Sequence, residues 1–342
     1  MKFRENWTKI LIVLLFIGLL SQVTSIYLPL IAAVVLSFIL NPLVGYLCRI
    51  RLWPTHLYMA RGAAVLLAFC CAILLAVVIG TFVLLPFINE FDKFVINLPS
   101  LISKIQDISK IIQIHVSSVT VPENLSNMVE QIVSSAAAYS IDLTKRIINA
   151  VFSFATRIIE LIVVPVLTYY FLKDWQVLKE SFVANFAIEN REKARRIIDE
   201  LAAVVSGYIR GQFLVSITIG FTVFCGMYLL GVEYPLVLGL LATLTETIPI
   251  IGPIIGAAPA ILLAYLGSPS LALKVLIFFI VVHQIENHVI VPNIMGHTID
   301  LHPTTIIISL LIGGQMFGIV GMILAVPVAA LLKVLIRHLW DQ

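Results

Sequence analysis

Long apolar runs with brief polar punctuation dominate this chain, and several reach the roughly 20 residues needed to cross a hydrocarbon core. The pattern predicts a first helix over about 8–20. A second runs from Leu28-Pro29 to about Tyr46, a third covers Gly62–Leu85 and stops at Pro86, and a fourth runs from about Ile147 to Leu172. The runs are continuous, whereas a transmembrane β-barrel needs alternating segments of about 10 residues. Residues 87–146 differ in kind. Leu101, Ile105, Ile108 and Ile112 recur at helical spacing with Lys104, Asp107 and Lys110 between them, giving a helix too polar on one face to span. Val119–Pro122 breaks it, and Pro122-Glu123 has the composition of a new helix start.

Beyond the fourth helix, 173–206 turns charged, with Trp175, Leu178 and Phe182 supplying an apolar face; an amphipathic helical hairpin is expected. The remainder, 207–342, reads as helix, broken apolar segment, helix, broken apolar segment. The first broken segment, 235–266, is interrupted at Ile248-Pro249-Ile250-Ile251-Gly252-Pro253 and again at Pro259. The second, 303–335, is interrupted by Gly313-Gly314, Gly318, Gly321 and Pro327. Each is long enough either for one kinked span or for a re-entrant hairpin of two half-helices, and hairpins are the favoured geometry. Paired Gly/Pro-broken segments in corresponding positions point to a transporter's binding region. Five segments follow: 1–86 with three membrane helices, 87–146 extracytoplasmic, 147–172 the fourth helix, 173–206 cytoplasmic, and 207–342 the core.

Composition strengthens the membrane reading. Of 342 residues 60% are hydrophobic and 12% charged, with mean hydropathy +1.06, against about half and a quarter in soluble domains. The expected fold class is an all-α polytopic membrane protein with about eight membrane segments and a weak internal repeat. A net charge of +3 spread along the chain suggests no nucleic-acid partner. Lys2, Arg4 and Lys9, then Arg49, Arg51 and Arg61, place the N-terminus and the loop after the second helix in the cytoplasm of an inner (plasma) membrane, and parity puts the C-terminus there too. Cys48, Cys70, Cys71 and Cys225 match neither disulfide nor metal spacing. No cofactor and no metal site are expected. Neither G-x-S-x-G nor H-E-x-x-H occurs, nor a phosphate-binding G-x-x-x-x-G-K-[ST], so neither an enzyme nor an ATP-driven pump is indicated.

Candidate chemistry concentrates in Gln284-Ile285-Glu286-Asn287-His288 and the following Pro292-Asn293-Ile294-Met295-Gly296. Polar side chains at membrane depth are costly and usually face a protein interior or a water-filled path. Glu286 is the first candidate to relay protons or bind an ion. Glu246, just before the Pro249–Gly252 break, is the second, because an acid beside unwound carbonyls suits a cation. Asn287, Gln284 and Gln212 are candidate hydrogen-bonding groups, and His283, His288 and His297 titrate near neutrality. Pro249, Gly252, Pro253, Pro292, Gly296, Gly313, Gly314, Gly318, Gly321 and Pro327 are expected to serve helix breaks and packing. Arg157 and Glu160 are spaced to pair on one helix face.

These motifs carry a resemblance. Gly207-Tyr208-Ile209-Arg210-Gly211-Gln212, Ile248–Pro253, Gln284–Asn287 with Pro292–Gly296, and Gly313-Gly314 through Ala325-Val326-Pro327 stand in an order similar to that of the autoinducer-2 exporter (AI-2E, or PerM permease) family, as does Leu172-Lys173-Asp174. The resemblance covers nearly the whole chain. It implies a multi-pass inner-membrane protein of about eight helices, commonly a homo-oligomer. Its members are described as exporters of autoinducer-2 or as Na⁺(Li⁺)/H⁺ antiporters. The reading carried forward is a secondary transporter exporting a small polar solute by alternating access. Monovalent cation/proton antiport, an uncoupled channel and a membrane scaffold are the alternatives. The expected partners are that solute or a monovalent cation with protons, and membrane lipid.

Overall fold

A computed structural model describes residues 27–52, 57–94, 96–97, 158–296 and 301–340. The first helix over 8–20, the amphipathic region beyond residue 97, the Arg157–Glu160 pair and His297 lie outside the described residues. Within them the protein is all-α apart from a two-residue antiparallel ladder, Arg51–Leu52 with Leu57–Tyr58. Helical stretches Pro29–Cys48, Arg61–Phe94, Ile188–Leu230, Pro269–Met295 and Pro303–His338 are long and apolar enough to cross a membrane. Two shorter apolar helices, Pro235–Thr245 and Ile251–Gly267, accompany them. The protein is a polytopic α-helical membrane protein.

Contacts divide the chain into two units. The first holds α1 (Tyr27–Cys48), the opening turns of α2 (Arg61–Phe94) and α3 (Ile158–Val183). Its core is Leu40, Val44 and Leu47 against Ala64, Val65, Ala68 and Leu172. Buried Thr168 donates to the carbonyls of Val164 and, across the helices, Ala33. The fourth predicted helix does not stop at Leu172: α3 bends at Asp174 (φ −106°, ψ 15°) and continues to Val183. The Leu172 carbonyl accepts a 2.7 Å hydrogen bond from Arg61 Nε, so an arginine expected to mark a loop supplies a donor at the bend. Leu178 and Phe182 are exposed while Leu172, Lys179 and Val183 are buried, the reverse of the expected apolar face.

The third predicted helix likewise runs past Pro86. A five-residue π-turn, Gly80–Leu84, ends two residues before the proline, and Leu85 N–H reaches back to Gly80 O. A proline inside an α-helix lacks an N–H and its ring strikes the carbonyl four residues back. The wider π-turn relieves that crowding, so the helix survives to Phe94. Pro259 and Pro327 also lie inside helices and do not interrupt them.

The second unit is built from the rest of α2, α4 (Arg191–Leu230), α5 (Pro235–Thr245), α6 (Ile251–Gly267), α7 (Pro269–Ile285), a π-turn (Glu286–Ile290), α8 (Val291–Met295) and α9 (Pro303–Trp340). The single helix α4 passes through residue 207, where the charged segment was expected to meet the core. Both broken segments fold back on themselves. In the first, α5 and α6 pack antiparallel, and a Cβ at Gly252 would collide with the Thr245 carbonyl. In the second, α9 reverses at Phe317 and Gly318, where Gly318 has φ +59°, a conformation that favours glycine. Gly313 and Gly321, eight residues apart, meet backbone to backbone, and Gly314 lies against Met322. The break therefore sits at one point, not at each of the predicted glycines. These two hairpins share a small core: Ile248 and Ile251 at the first bend pack on Leu310, Ala325 and Met322 of the second. The main core joins α4 (Val215, Ile219, Val223, Met227) to α5, α6 and α7 through Leu238, Ala242, Ala260, Ala264, Val275, Phe279 and Val282.

Candidate functional site

The bend of the first hairpin, residues 246–250, is where unusual chemistry gathers. Helix α5 ends at Thr245, whose hydroxyl donates back to Leu241 and Ala242 carbonyls. Pro249 has no N–H, and the next residue, Ile250, is held at φ 68°, ψ −50°, with Ile251 N–H closing a 2.7 Å hydrogen bond to Pro249 O. That is a γ-turn of the rare positive-φ kind. A β-branched residue there is strained, and such strain collects at functional sites.

Glu246, the first residue of this bend, is 3% exposed. Glu286, the first residue of the π-turn after α7, is 6% exposed. Their carboxyl groups lie close enough to interact with each other. Two carboxylates held together in a buried site repel each other unless a proton or a cation lies with them. Among the described residues no lysine or arginine pairs with either acid. Glu286 Oε2 lies 2.7 Å from His283 Nδ1, and the imidazole stacks 6.0 Å from the Phe279 ring. The second ring nitrogen, Nε2, is buried and makes no hydrogen bond. Gln212 of α4 donates through Nε2 to the backbone carbonyl of Glu246 at 2.6 Å, so a third helix fixes the bend.

Local sequence explains these placements. The π-turn Glu286–Ile290 ends two residues before Pro292, as Gly80–Leu84 does before Pro86, and Val291 N–H bonds Glu286 O. The proline thus forces the wide turn that carries Glu286, and π-turns of this sort recur at functional sites. Helix α8 then closes at Gly296 (φ +55°), and Met295 packs against Gly211, one residue before Gln212.

The structure therefore brings Glu286, Glu246 and Gln212 together, with Pro249, Gly252 and Pro292 shaping the two backbone breaks. Pro253 lies in the first turn of α6. Gln284 and Asn287 are exposed, and His288 is exposed with Nδ1 at 2.9 Å from the Gln284 carbonyl. Sequence reasoning missed Tyr208 and Ser216 on α4. Their signal is the spacing 208, 212, 216 in a largely apolar helix, which puts three polar groups on one face. Among the described residues no group of three metal-ligating side chains converges.

The description "AI-2E family transporter" matches residues 10–341. YueF of Bacillus subtilis (strain 168), named as a transport protein, is 30% identical over 96% of this chain and 91% of its own length. A sodium-lithium/proton antiporter of Halobacillus andaensis is 26% identical over 94% of this chain and 92% of its own. The permease PerM of Escherichia coli (strain K12) is 24% identical over 97% and 90%.

Proposed function

The chain belongs to the AI-2E family of membrane transporters, and from that premise we propose that it exchanges protons for a monovalent cation at the Glu246–Glu286 pair. The carrying observation is that these two buried carboxyl groups, 40 residues apart in sequence, come together at the meeting of two backbone breaks. Loaded with its proton, the pair bears one negative charge. Without the proton it bears two in a site largely shut off from solvent, an arrangement tolerable only if a cation takes the proton's place. Proton and cation thus compete for one site, which is the requirement for antiport. The relative named as a sodium-lithium/proton antiporter supports the same reading.

Export of a small polar solute such as autoinducer-2 fits the site less well. A hydroxyl-rich solute calls for several free donors and acceptors; of the amides expected to supply them, Gln212 is bonded to the Glu246 carbonyl, and Gln284 and Asn287 are exposed. The bend of the first hairpin, packed on the second through Ile248, is the element whose movement would open the pair to either side.

The test is proton flux in proteoliposomes with a trapped pH dye. A Na⁺ or Li⁺ gradient should drive protons through wild type, and Glu286→Gln and Glu246→Gln should fall to the empty-liposome rate. An unchanged rate in either variant would sink the proposal. Proton movement driven by an autoinducer-2 gradient, and not by Na⁺ or Li⁺, would restore solute export.

A further inference from the structure

Among the described residues, the buried side-chain polar atoms with no hydrogen-bond partner are Tyr208 Oη, Ser216 Oγ and His283 Nε2. His283 contacts Glu286, and the other two flank Gln212 on α4. Tyr208 (4% exposed) and Ser216 (2% exposed) lie four residues to either side of Gln212, whose amide holds the Glu246 carbonyl. Four residues advance a helix by about 6 Å, so the three form a polar stripe about 12 Å long on one face of α4. His283 uses Nδ1 on Glu286 and leaves Nε2 buried and unpartnered.

A buried hydroxyl without a partner is left undersolvated at a cost, and native proteins seldom accept this without a functional return. Here the cost is concentrated around Gln212 and Glu286 rather than scattered. The two hydroxyl oxygens can each accept a hydrogen bond from water or offer a lone pair to a cation. Their surroundings are otherwise apolar: Val215 and Ile219, neighbours of Ser216 on α4, belong to the core.

We infer that the α4 stripe Tyr208–Gln212–Ser216, with His283 opposite, lines a hydrated cation path that ends at Glu246 and Glu286. The hydroxyls act there as neutral oxygen contacts for water and for the passing ion. This rests on the proposed cation exchange, but the existence of the path and its charge preference are separable.

Cysteine labelling tests it in protein whose Cys48, Cys70, Cys71 and Cys225 are replaced by serine. Ser216→Cys and Tyr208→Cys are compared with Ile219→Cys, an equally buried site on the same helix. The reagents are the small methanethiosulfonates bearing 2-aminoethyl (cationic) or 2-sulfonatoethyl (anionic) groups. The path predicts that positions 208 and 216 react with the cationic reagent about tenfold faster than position 219, a ratio equivalent to about 1.4 kcal/mol. Na⁺ or Li⁺ should slow that reaction, and the anionic reagent should lag. Rates equal to that of position 219 overturn the path. Fast labelling by both reagents without Na⁺ or Li⁺ protection supports the path and overturns the cation reading.

A second pair of variants guards against misfolding. Ser216→Ala and Tyr208→Phe remove only the hydroxyls. They should raise the KM for the exchanged cation about fivefold while leaving Tm unchanged or raised, because deleting an unpartnered buried hydroxyl removes a penalty. A fall in Tm with unchanged KM would assign the hydroxyls to structure and overturn the inference.

Discussion

Ile250 shows how one residue can record a demand that its side-chain type resists. Its φ of 68° costs a β-branched residue about 1–2 kcal/mol relative to glycine. The neighbours impose it: Pro249 brings the chain in with no N–H, and Gly252 must seat against the Thr245 carbonyl with no room for a Cβ. Ile250→Gly should therefore raise Tm in detergent, since its side chain is 47% exposed and contributes little core. If the strain keeps the bend poised to open, the same variant should lose exchange rate while gaining stability. A drop in Tm would show that the turn is not strained in the membrane protein. The acids beside it are legible without any structure, because Glu246 and Glu286 stand among apolar residues where charge is costly. What is not legible is their mutual contact, because residues 40 apart in sequence meet only once the hairpin folds. Nor does an α-helical count place Asn287 correctly, since it lies in a π-turn that shifts the phase of the side chains within and after it.

At the level of elements, proline is the residue most easily misread. Pro86 has the sequence signature of a helix stop and Pro259 that of an interruption, yet the chain runs helically through both. In the membrane a broken ladder is tolerated where the local backbone readjusts, and the Gly80–Leu84 turn is such a readjustment. One consequence is that α2 extends far enough for Glu90 to reach the start of the first hairpin. Tyr234, at φ 58°, makes no side-chain cap on α5. The Glu90 carboxylate takes over, accepting from Leu236 N–H at 3.0 Å and Val237 N–H at 3.3 Å. Phe94 packs edge-on to Tyr234, and Asn97 donates to its hydroxyl at 2.9 Å. An anion at a helix N-terminus satisfies unpaired donors and favours the dipole. Glu90→Ala should lower stability by about 0.5–2 kcal/mol, the range for losing a helix cap. Glu90→Gln, which keeps an acceptor oxygen but not the charge, should recover part of that loss. Equal Tm values for wild type, Glu90→Ala and Glu90→Gln would remove the cap from the account. Glu90 lay in a stretch whose sequence read only as amphipathic, because a long-range cap leaves no local pattern.

For the molecule as a whole, the antiparallel packing of each hairpin has a topological consequence. Helix α4 crosses once, and the α5–α6 hairpin returns the chain to the side on which it began. Helix α7 then carries it back across, and α9 opens from the opposite side. The two hairpins thus point toward each other from opposite faces, the arrangement of an inverted repeat. The pattern of prolines and glycines alone left room for kinked spans, which would run parallel; the close approaches of Gly252 to Thr245 and of Gly313 to Gly321 favour the folded-back form. The charge pattern, which predicts a cytoplasmic 49–61 loop, leads us to expect the turn at 267–269 outside and the start of α9 inside. Impermeant thiol labelling of cysteine-replaced protein separates the arrangements. Ser270→Cys should react in intact cells, whereas Thr304→Cys should react only after permeabilisation. Reversed results would keep the opposed hairpins and overturn the charge-based orientation. Labelling of both positions from one side would overturn the opposed hairpins, and with them the picture of an acid pair reached alternately from two faces through two facing bends.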